Sequence, residues 1–221
     1  MNCKSRIEER KEGKMKKVLF LILTMVLSFS LVIADEGAAD KKTDEKVEKK
    51  EKKEFDKRKA TNPVIAIETD YGTMTLELYR DVAPIHVDSM LSRIREGFYT
   101  GLIFHRIIDG FMIQGGDPTG TGGGGPGYSL PAEFSKLPHI KGTLSMARSQ
   151  SPNSAGSQFF ICLAPSGYLD GKYTVFGHLL DGYDALSKIG KVKTGAQDRP
   201  IKDVFMRKVT ILKDIESKKE K

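Results

Sequence analysis

Residues 35–60, DEGAADKKTDEKVEKKEKKEFDKRKA, carry ten basic and nine acidic side chains and few apolar ones. A segment of this kind cannot bury enough surface to offset the entropy of ordering it. Glu/Lys pairs at i,i+4 can support transient helix but no core. The stretch is expected to be a disordered, solvated linker. It splits the 221-residue chain into an N-terminal segment, 1–34, and a remainder, 61–221, where a fold must be sought. At roughly 150 residues per domain the length allows one or two domains, and the linker leaves room for one.

The N-terminal segment holds an apolar run, VLFLILTMVLSFSLVI from Val18 to Ile33, preceded by Lys14, Lys16 and Lys17. Its 16 residues fall short of the ~20 that a spanning helix needs. A basic flank, a short apolar core and a small residue after it read as a secretory signal peptide. Val32-Ile33-Ala34 offers one cleavage site and Gly37-Ala38-Ala39 a second. Glu8, Glu9 and Glu12 are unusual before such a core, and Met15 offers another start. No cysteine follows the run, so there is no lipoprotein site. The expected location is periplasmic or otherwise extracytoplasmic. An uncleaved signal anchor is the rival, and the membrane would then be met only through this segment.

The net charge of +7 is dominated by the N-terminus: +4 falls in residues 1–17, +1 in 35–59 and +2 in 60–221. A near-neutral folded part gives no reason to expect nucleic acid as a partner. The two cysteines are Cys3 and Cys162. Without the N-terminus Cys162 stands alone, and its setting, Phe159-Phe160-Ile161-Cys162-Leu163, predicts a buried small hydrophobe rather than a reactive thiol.

From Thr61 onward the punctuation becomes that of a compact domain. Val64–Ile67 and Met74–Leu78 read as strands joined by turn chemistry at Asp70-Tyr71-Gly72. Pro84 suits a helix's first turn, with Val87, Leu91, Ile94 and Phe98 on one face and Gly97 closing it. Further strands are expected at Ile103–Ile108, Phe111–Gln114, Thr143–Met146, Gln158–Cys162, Thr174–Leu179 and Asp203–Leu212, with a second helix over Tyr183–Ile189. Many short strands and two helices predict a mainly β fold, a closed barrel with helical caps.

Several chemistries are missing. His86, His105, His139 and His178 show no metal-ligand spacing, and no serine sits in a Gly-x-Ser-x-Gly elbow. The run Gly120–Gly127 lacks the Lys-Ser/Thr of a phosphate loop and reads as a flexible surface loop. His105 reads as structural.

What remains is a set of motifs: Phe104-His105-Arg106-Ile107-Ile108-x-Gly110-Phe111-Met112-Ile113-Gln114-Gly115-Gly116-Asp117, then Gly142-Thr143-Leu144-Ser145-Met146-Ala147, then Pro152-Asn153-x-x-Gly156-Ser157-Gln158-Phe159-Phe160-Ile161, and Leu169-Asp170-Gly171-Lys172-x-x-Val175-Phe176-Gly177. In order and spacing these resemble the signatures of the cyclophilins, over roughly Pro63 to Leu212. The resemblance implies a closed eight-stranded antiparallel barrel capped by two helices. It also implies peptidyl-prolyl cis/trans isomerase activity on proline-containing polypeptides, no cofactor and a monomer.

By motif position Arg106 resembles the family's catalytic arginine, acting with Phe111 and Gln114. Phe111, Met112, Phe160 and Leu169 would form the proline pocket. Gln114, Ala147 and Gln158 would bind the substrate backbone, with Phe159 on the core side of its strand. Arg148, Tyr168 and Tyr173 complete the expected substrate contacts. They are also departures: many eukaryotic members have tryptophan where Tyr168 stands, a histidine at Tyr173 and an asparagine at Arg148. Ser149-Gln150-Ser151 makes that loop one residue longer. These features resemble exported bacterial single-domain cyclophilins and put tight binding of cyclosporin-class inhibitors in doubt.

The chemistry is consistent with what is absent. Rotation about a peptide bond faces ~18–20 kcal/mol because the nitrogen lone pair is delocalised, and X–Pro bonds left alone exchange over roughly tens to hundreds of seconds. A catalyst needs a fixed donor near that nitrogen, a dry hollow for the ring and grips on the flanking chain, but neither nucleophile nor base. A guanidinium supplies a permanent, directional donor. The alternative is a non-catalytic proline-peptide binding module or holdase, which the set Arg106, Gln114 and Phe160 disfavours.

Overall fold

The structure, a computed structural model, describes residues 62–214. The apolar run and the charged linker lie outside the described residues, as does Cys3. Eight strands form one antiparallel sheet: β1 Val64–Thr69, β2 Gly72–Leu78, β3 Arg106–Ile108, β4 Met112–Gly115, β5 Thr143–Met146, β6 Phe159–Cys162, β7 Val175–Asp181 and β8 Met206–Lys213. Two helices, α1 Pro84–Arg95 and α2 Tyr183–Gly190, accompany them. The spatial order is β3-β4-β6-β5-β7-β2-β1-β8, so the sheet curls round until its two edge strands approach.

The expected closed barrel becomes a curled sheet whose edges meet outside the strands. No ladder joins β3 to β8; their lead-in segments touch through an isolated bridge, Ile103 to Phe205. Phe104 N donates to Val204 O and Met206 N to Leu102 O, at 2.9 and 2.8 Å. This corrects two strand boundaries. Ile103 to His105 leaves the ladder expected over Ile103–Ile108, and the last strand starts at Met206 rather than Asp203. In both cases the chain bends there to bring the edges together.

The hairpin is as expected: Thr69 pairs with Gly72 across Asp70 and Tyr71. Helix α1 carries Val87, Met90, Leu91 and Ile94 into the core. It ends at Arg95, and Gly97 at φ 75° turns the chain away, so Phe98 packs on the core from beyond the helix. Ala83 gives α1 no side-chain cap. The orphan N–H groups of Ile85 and His86 donate instead to Glu133, at 3.1 and 3.0 Å, and His86 Nδ1 lies 2.6 Å from the same carboxylate. A loop 47 residues away thus supplies the cap.

Strands β3, β4, β6 and β5 position the site because their side chains alternate between two faces. Ile107, Ile113, Ile161 and Leu144 stand in register on one face and belong to the main core. Arg106, Gln114, Phe160 and Ser145 stand in register on the other. Ile108, Met112 and Cys162 form the next row of that second face.

Candidate active site

The second face carries its own apolar cluster. Met112, Phe160, Cys162 and Leu169 are buried together, and Ile108, Phe111, Ala147 and Tyr173 pack round them. Leu169 arrives on a short 3₁₀ turn, Gly167–Leu169. Tyr168 beside it is 62% exposed, with its ring centre 5.9 Å from that of Phe111, so the two aromatics form a rim. All the residues expected to make a ring-binding hollow are therefore adjacent. Cys162 joins them: it is buried as expected, and burial pushes its thiol up to about 12. Its place in this cluster, not its burial, was the part sequence reasoning missed.

Arg106 stands at the edge of this face, paired across strands with Gln114, which is paired with Phe160. Two strand spacings, roughly 10 Å, separate Arg106 from Phe160 along the row. Its side chain is 43% exposed, and its Nε donates to Asp198 Oδ2 at 3.2 Å. Arg106 is thus both an ion-pair partner of Asp198 and the neighbour of Gln114 in the candidate site. Asp198 was missed; it lies 92 positions away on a turn that no motif covers.

The glutamines contact each other. Gln114 Nε2 donates to Gln158 Oε1 at 2.9 Å, and Gln158 Nε2 donates to the carbonyls of Gly122 and Gly124 at 2.9 and 2.8 Å. Gln158 therefore ties the glycine run to the site. The run Gly120–Gly127 is a largely exposed loop, as expected, with side-chain ties that the sequence reading did not foresee. Its anchor is Asp117, 1% exposed, whose carboxylate accepts from the N–H groups of Thr119, Thr121, Gly122 and Gly124 and from the Thr119 hydroxyl. Burial alone would raise the Asp117 carboxyl, but these hydrogen bonds outweigh it and hold it down to about 2. Gly116 makes the approach: at φ 86° its missing Cβ would lie 2.3 Å from Ser157 O, space that only glycine leaves. The signal for this arrangement was present in the sequence as an acidic residue leading a glycine run.

Behind the hollow lies a second buried framework that sequence reasoning also missed. The His139 ring stacks on Phe160 at 14° with centres 6.0 Å apart, and Tyr173 meets Phe160 edge-on at 6.0 Å. His139 Nδ1 donates to Asp170 Oδ1 at 2.8 Å, and Nε2 lies 3.0 Å from Ser145 Oγ. Burial lowers the His139 pKa and the Asp170 hydrogen bond opposes it. The Ser145 hydroxyl is fully buried, so this Asp-His-Ser chain supports the ring and offers no nucleophile. His105, buried with neither ring nitrogen partnered among the described residues, is likewise held below its ordinary pKa, chiefly by burial. It is a packed neighbour of Gly122, consistent with a structural part.

Arg148 closes one flank. Its guanidinium donates to the carbonyls of Lys172, Ser149 and Gln150 and lies 4.5 Å from the Tyr173 ring centre. That stacking fixes Tyr173 and shapes the loop that Ser149–Ser151 lengthens. Ala147 N donates to Gln158 O at 3.0 Å, which ties Ala147 to the residue just before β6. Among the described residues no group of three or more His, Cys, Asp or Glu is placed to hold a metal ion. The arrangement is an apolar cluster with one permanent cation and two glutamine amides at its side.

Comparison with known proteins agrees with this geometry. The family model described as cyclophilin type peptidyl-prolyl cis-trans isomerase/CLD matches residues 64–211. Peptidyl-prolyl cis-trans isomerase-like 1 of Gibberella zeae is 44% identical over 157 residues, covering 69% of this chain and 96% of the relative. The human protein of the same name is 46% identical over 147 residues, covering 64% of this chain and 88% of its own length. A crystal structure of a Cryptosporidium parvum cyclophilin type peptidyl-prolyl cis-trans isomerase, determined in the presence of the dipeptide Ala-Pro, superimposes with a TM-score of 0.66. It is 36% identical, and the match covers 68% of this chain and 99% of that one. These three proteins are all eukaryotic.

Proposed function

The chain belongs to the cyclophilin-type peptidyl-prolyl cis-trans isomerase family, and on that premise we propose that it speeds cis/trans exchange of X–Pro bonds in folding or flexible polypeptides outside the cytoplasm. The observation that carries the reading is the row Arg106–Gln114–Phe160, which sets a cation and an amide beside a buried aromatic floor. That a relative was crystallised with Ala-Pro supports a proline ring as the occupant of the hollow.

The substrate's pyrrolidine lies on Phe160 and Met112, walled by Leu169, Phe111 and the Tyr168 rim. Tyr173, fixed by Arg148, closes the far side. Gln114 keeps its carbonyl oxygen for the substrate chain while Gln158 holds its NH₂ group, and Ala147 lines the path of the flanking residues. As the amide twists, its nitrogen lone pair localises and becomes a hydrogen-bond acceptor. A guanidinium N–H aimed at that nitrogen gains strength only then, so it lowers the barrier instead of merely tightening binding. Each ~1.4 kcal/mol so gained is tenfold in rate. No cofactor enters, and the chain acts as a monomer.

The exported, bacterial single-domain character rests on the Val18–Ile33 run and on Tyr168, Arg148 and Tyr173. The charged segment 35–60 then serves as a tether or spacer. Mass spectrometry of the mature N-terminus tests this: a start at Asp35 supports release, and retention of the apolar run supports an anchor.

The activity is tested on the full chain with a proline-peptide isomerisation assay. Arg106→Ala should lower kcat/KM by about 100- to 1,000-fold, the range for losing one transition-state donor. Undiminished activity would overturn the role given to Arg106. Peptide binding and suppressed aggregation without any rate enhancement by the unaltered chain would make it a holdase instead.

A further inference from the structure

The Arg106–Asp198 pair is not demanded by the isomerisation chemistry, which needs a donor but no carboxylate. We propose that Asp198 is a positioning residue: by accepting from Nε it fixes the guanidinium plane and leaves both Nη groups for the substrate. This inference rests on the reading of Arg106 as the donor.

Three observations carry it. First, Asp198 takes a single hydrogen bond, from Nε at 3.2 Å, and among the described residues Nη1 and Nη2 of Arg106 make none. The five N–H groups of a guanidinium form a rigid planar fork, so holding Nε restricts the orientation of the other four. Second, Gln197 and Asp198 both have φ 58° and are the only non-glycine residues with positive φ among the described residues. Side chains rarely adopt that conformation, and when held in it they cluster at functional sites. Third, the turn is braced from both sides. Gly195 N donates to Arg199 O at 2.7 Å and Ile201 N to Lys193 O at 3.0 Å. Arg199 Nη1 donates to the Gly120 carbonyl of the Asp117-anchored loop. Adjacent residues of one turn therefore hold the arginine on one hand and the loop behind Gln158 on the other.

Arg106 is partly exposed, and a long side chain left free there would sample many rotamers. Ordering it before substrate arrives removes that cost from the reaction step. The expected signature is therefore a loss in kcat with little change in KM.

The test is a double-mutant cycle in the full chain, read by isomerisation kinetics. Asp198→Gly relieves the backbone and removes the acceptor; Asp198→Asn tolerates positive φ and keeps an acceptor without the charge. Asp198→Gly should lower kcat/KM about tenfold with KM within about twofold, and Asp198→Asn about threefold. In an Arg106→Ala background neither should lower activity further, because there is nothing left to orient. If Asp198→Gly matches the unaltered chain while Arg106→Ala is inactive, this inference alone falls. It also falls if Asp198→Gly costs the same factor in both backgrounds, the mark of a purely structural part. If Arg106→Ala is fully active, the inference falls together with the reading of Arg106.

Discussion

Strand β6 faces two apolar clusters that differ in size and in use. Phe159 and Ile161 point into the main core, where Phe159 meets Tyr99 and Phe104 edge-on at 5.8 and 6.3 Å. Phe160 and Cys162 point the other way, into a cluster of only four buried residues. The large cluster joins residues of α1, α2 and the curled sheet and has partly buried neighbours of its own, Tyr71 and Phe98 among them. The small one is completed by half-exposed neighbours, Phe111 and Tyr173 among them, and backed by the polar frame of His139, Asp170 and Ser145. One period-two pattern thus feeds the main core on one face and the candidate site on the other. On the proposed function, what separates them is that the last wall of the small cluster is supplied by substrate.

Neighbouring phenylalanines give the strongest way to break that comparison. Phe159→Ala should cost ~3–5 kcal/mol of unfolding free energy by chemical denaturation, the usual range for emptying a core aromatic. The fraction still folded should keep kcat/KM within about threefold. Phe160→Ala should reverse the balance. Losing the Phe160 ring from the candidate site removes ~2–3 kcal/mol of ring burial, so kcat/KM should fall by roughly 30- to 160-fold, with a smaller loss of stability than Phe159→Ala. Equal stability losses and equal activities for the two variants would refute the division.

Asp117→Asn sharpens the comparison at the loop that joins the faces. It replaces an acceptor of four backbone N–H groups by a carboxamide that presents its own donors to them, which should cost about 1–3 kcal/mol. Activity should fall with it, because Gln158 loses the carbonyls that hold it against Gln114. Denaturation and kinetics on the same preparation check both parts.

The smallest expected effect is on pH. His139 and His105 both have folded pKa values below the ordinary one. As pH falls below about 6.5 the unfolded chain takes up protons that the folded chain refuses, so stability is full above that point and declines beneath it. The slope is at most ~1.4 kcal/mol per pH unit for each histidine. Denaturation midpoints from pH 8 to 5 should fall, and less steeply in His139→Asn. The Asp117 contribution runs through a lower window: it is present above the ordinary carboxylate value and lost as pH falls toward about 2.

The elements were legible because each rests on local rules. Eight strands and two helices follow from period-two and helical patterns bounded by Gly72, Pro84 and Gly97. Arg106, Phe111, Met112, Gln114, Phe160 and Leu169 were legible through their motifs. The row that Arg106, Gln114 and Phe160 share was not, since register between β3, β4 and β6 is set by long-range pairing. The misses share that cause. Asp198 finds Arg106 across 92 positions and Asp170 finds His139 across 31. The glycine run looked loose because its ties, Asp117 and Gln158, are set by tertiary approach and not by composition. The edge closure was misjudged at Ile103 and Asp203 for the same reason.

The proposed function requires Arg106 to act on the twisted amide more than on the planar one. The direct measurement compares Arg106→Ala with the unaltered chain in two assays: kcat/KM for an Ala-Pro-containing peptide, and Kd for the same peptide by NMR titration. A fall of about 100-fold or more in kcat/KM with Kd changed less than about threefold is the predicted result. Equal losses in kcat/KM and in affinity would make Arg106 a simple binding contact and contradict the account.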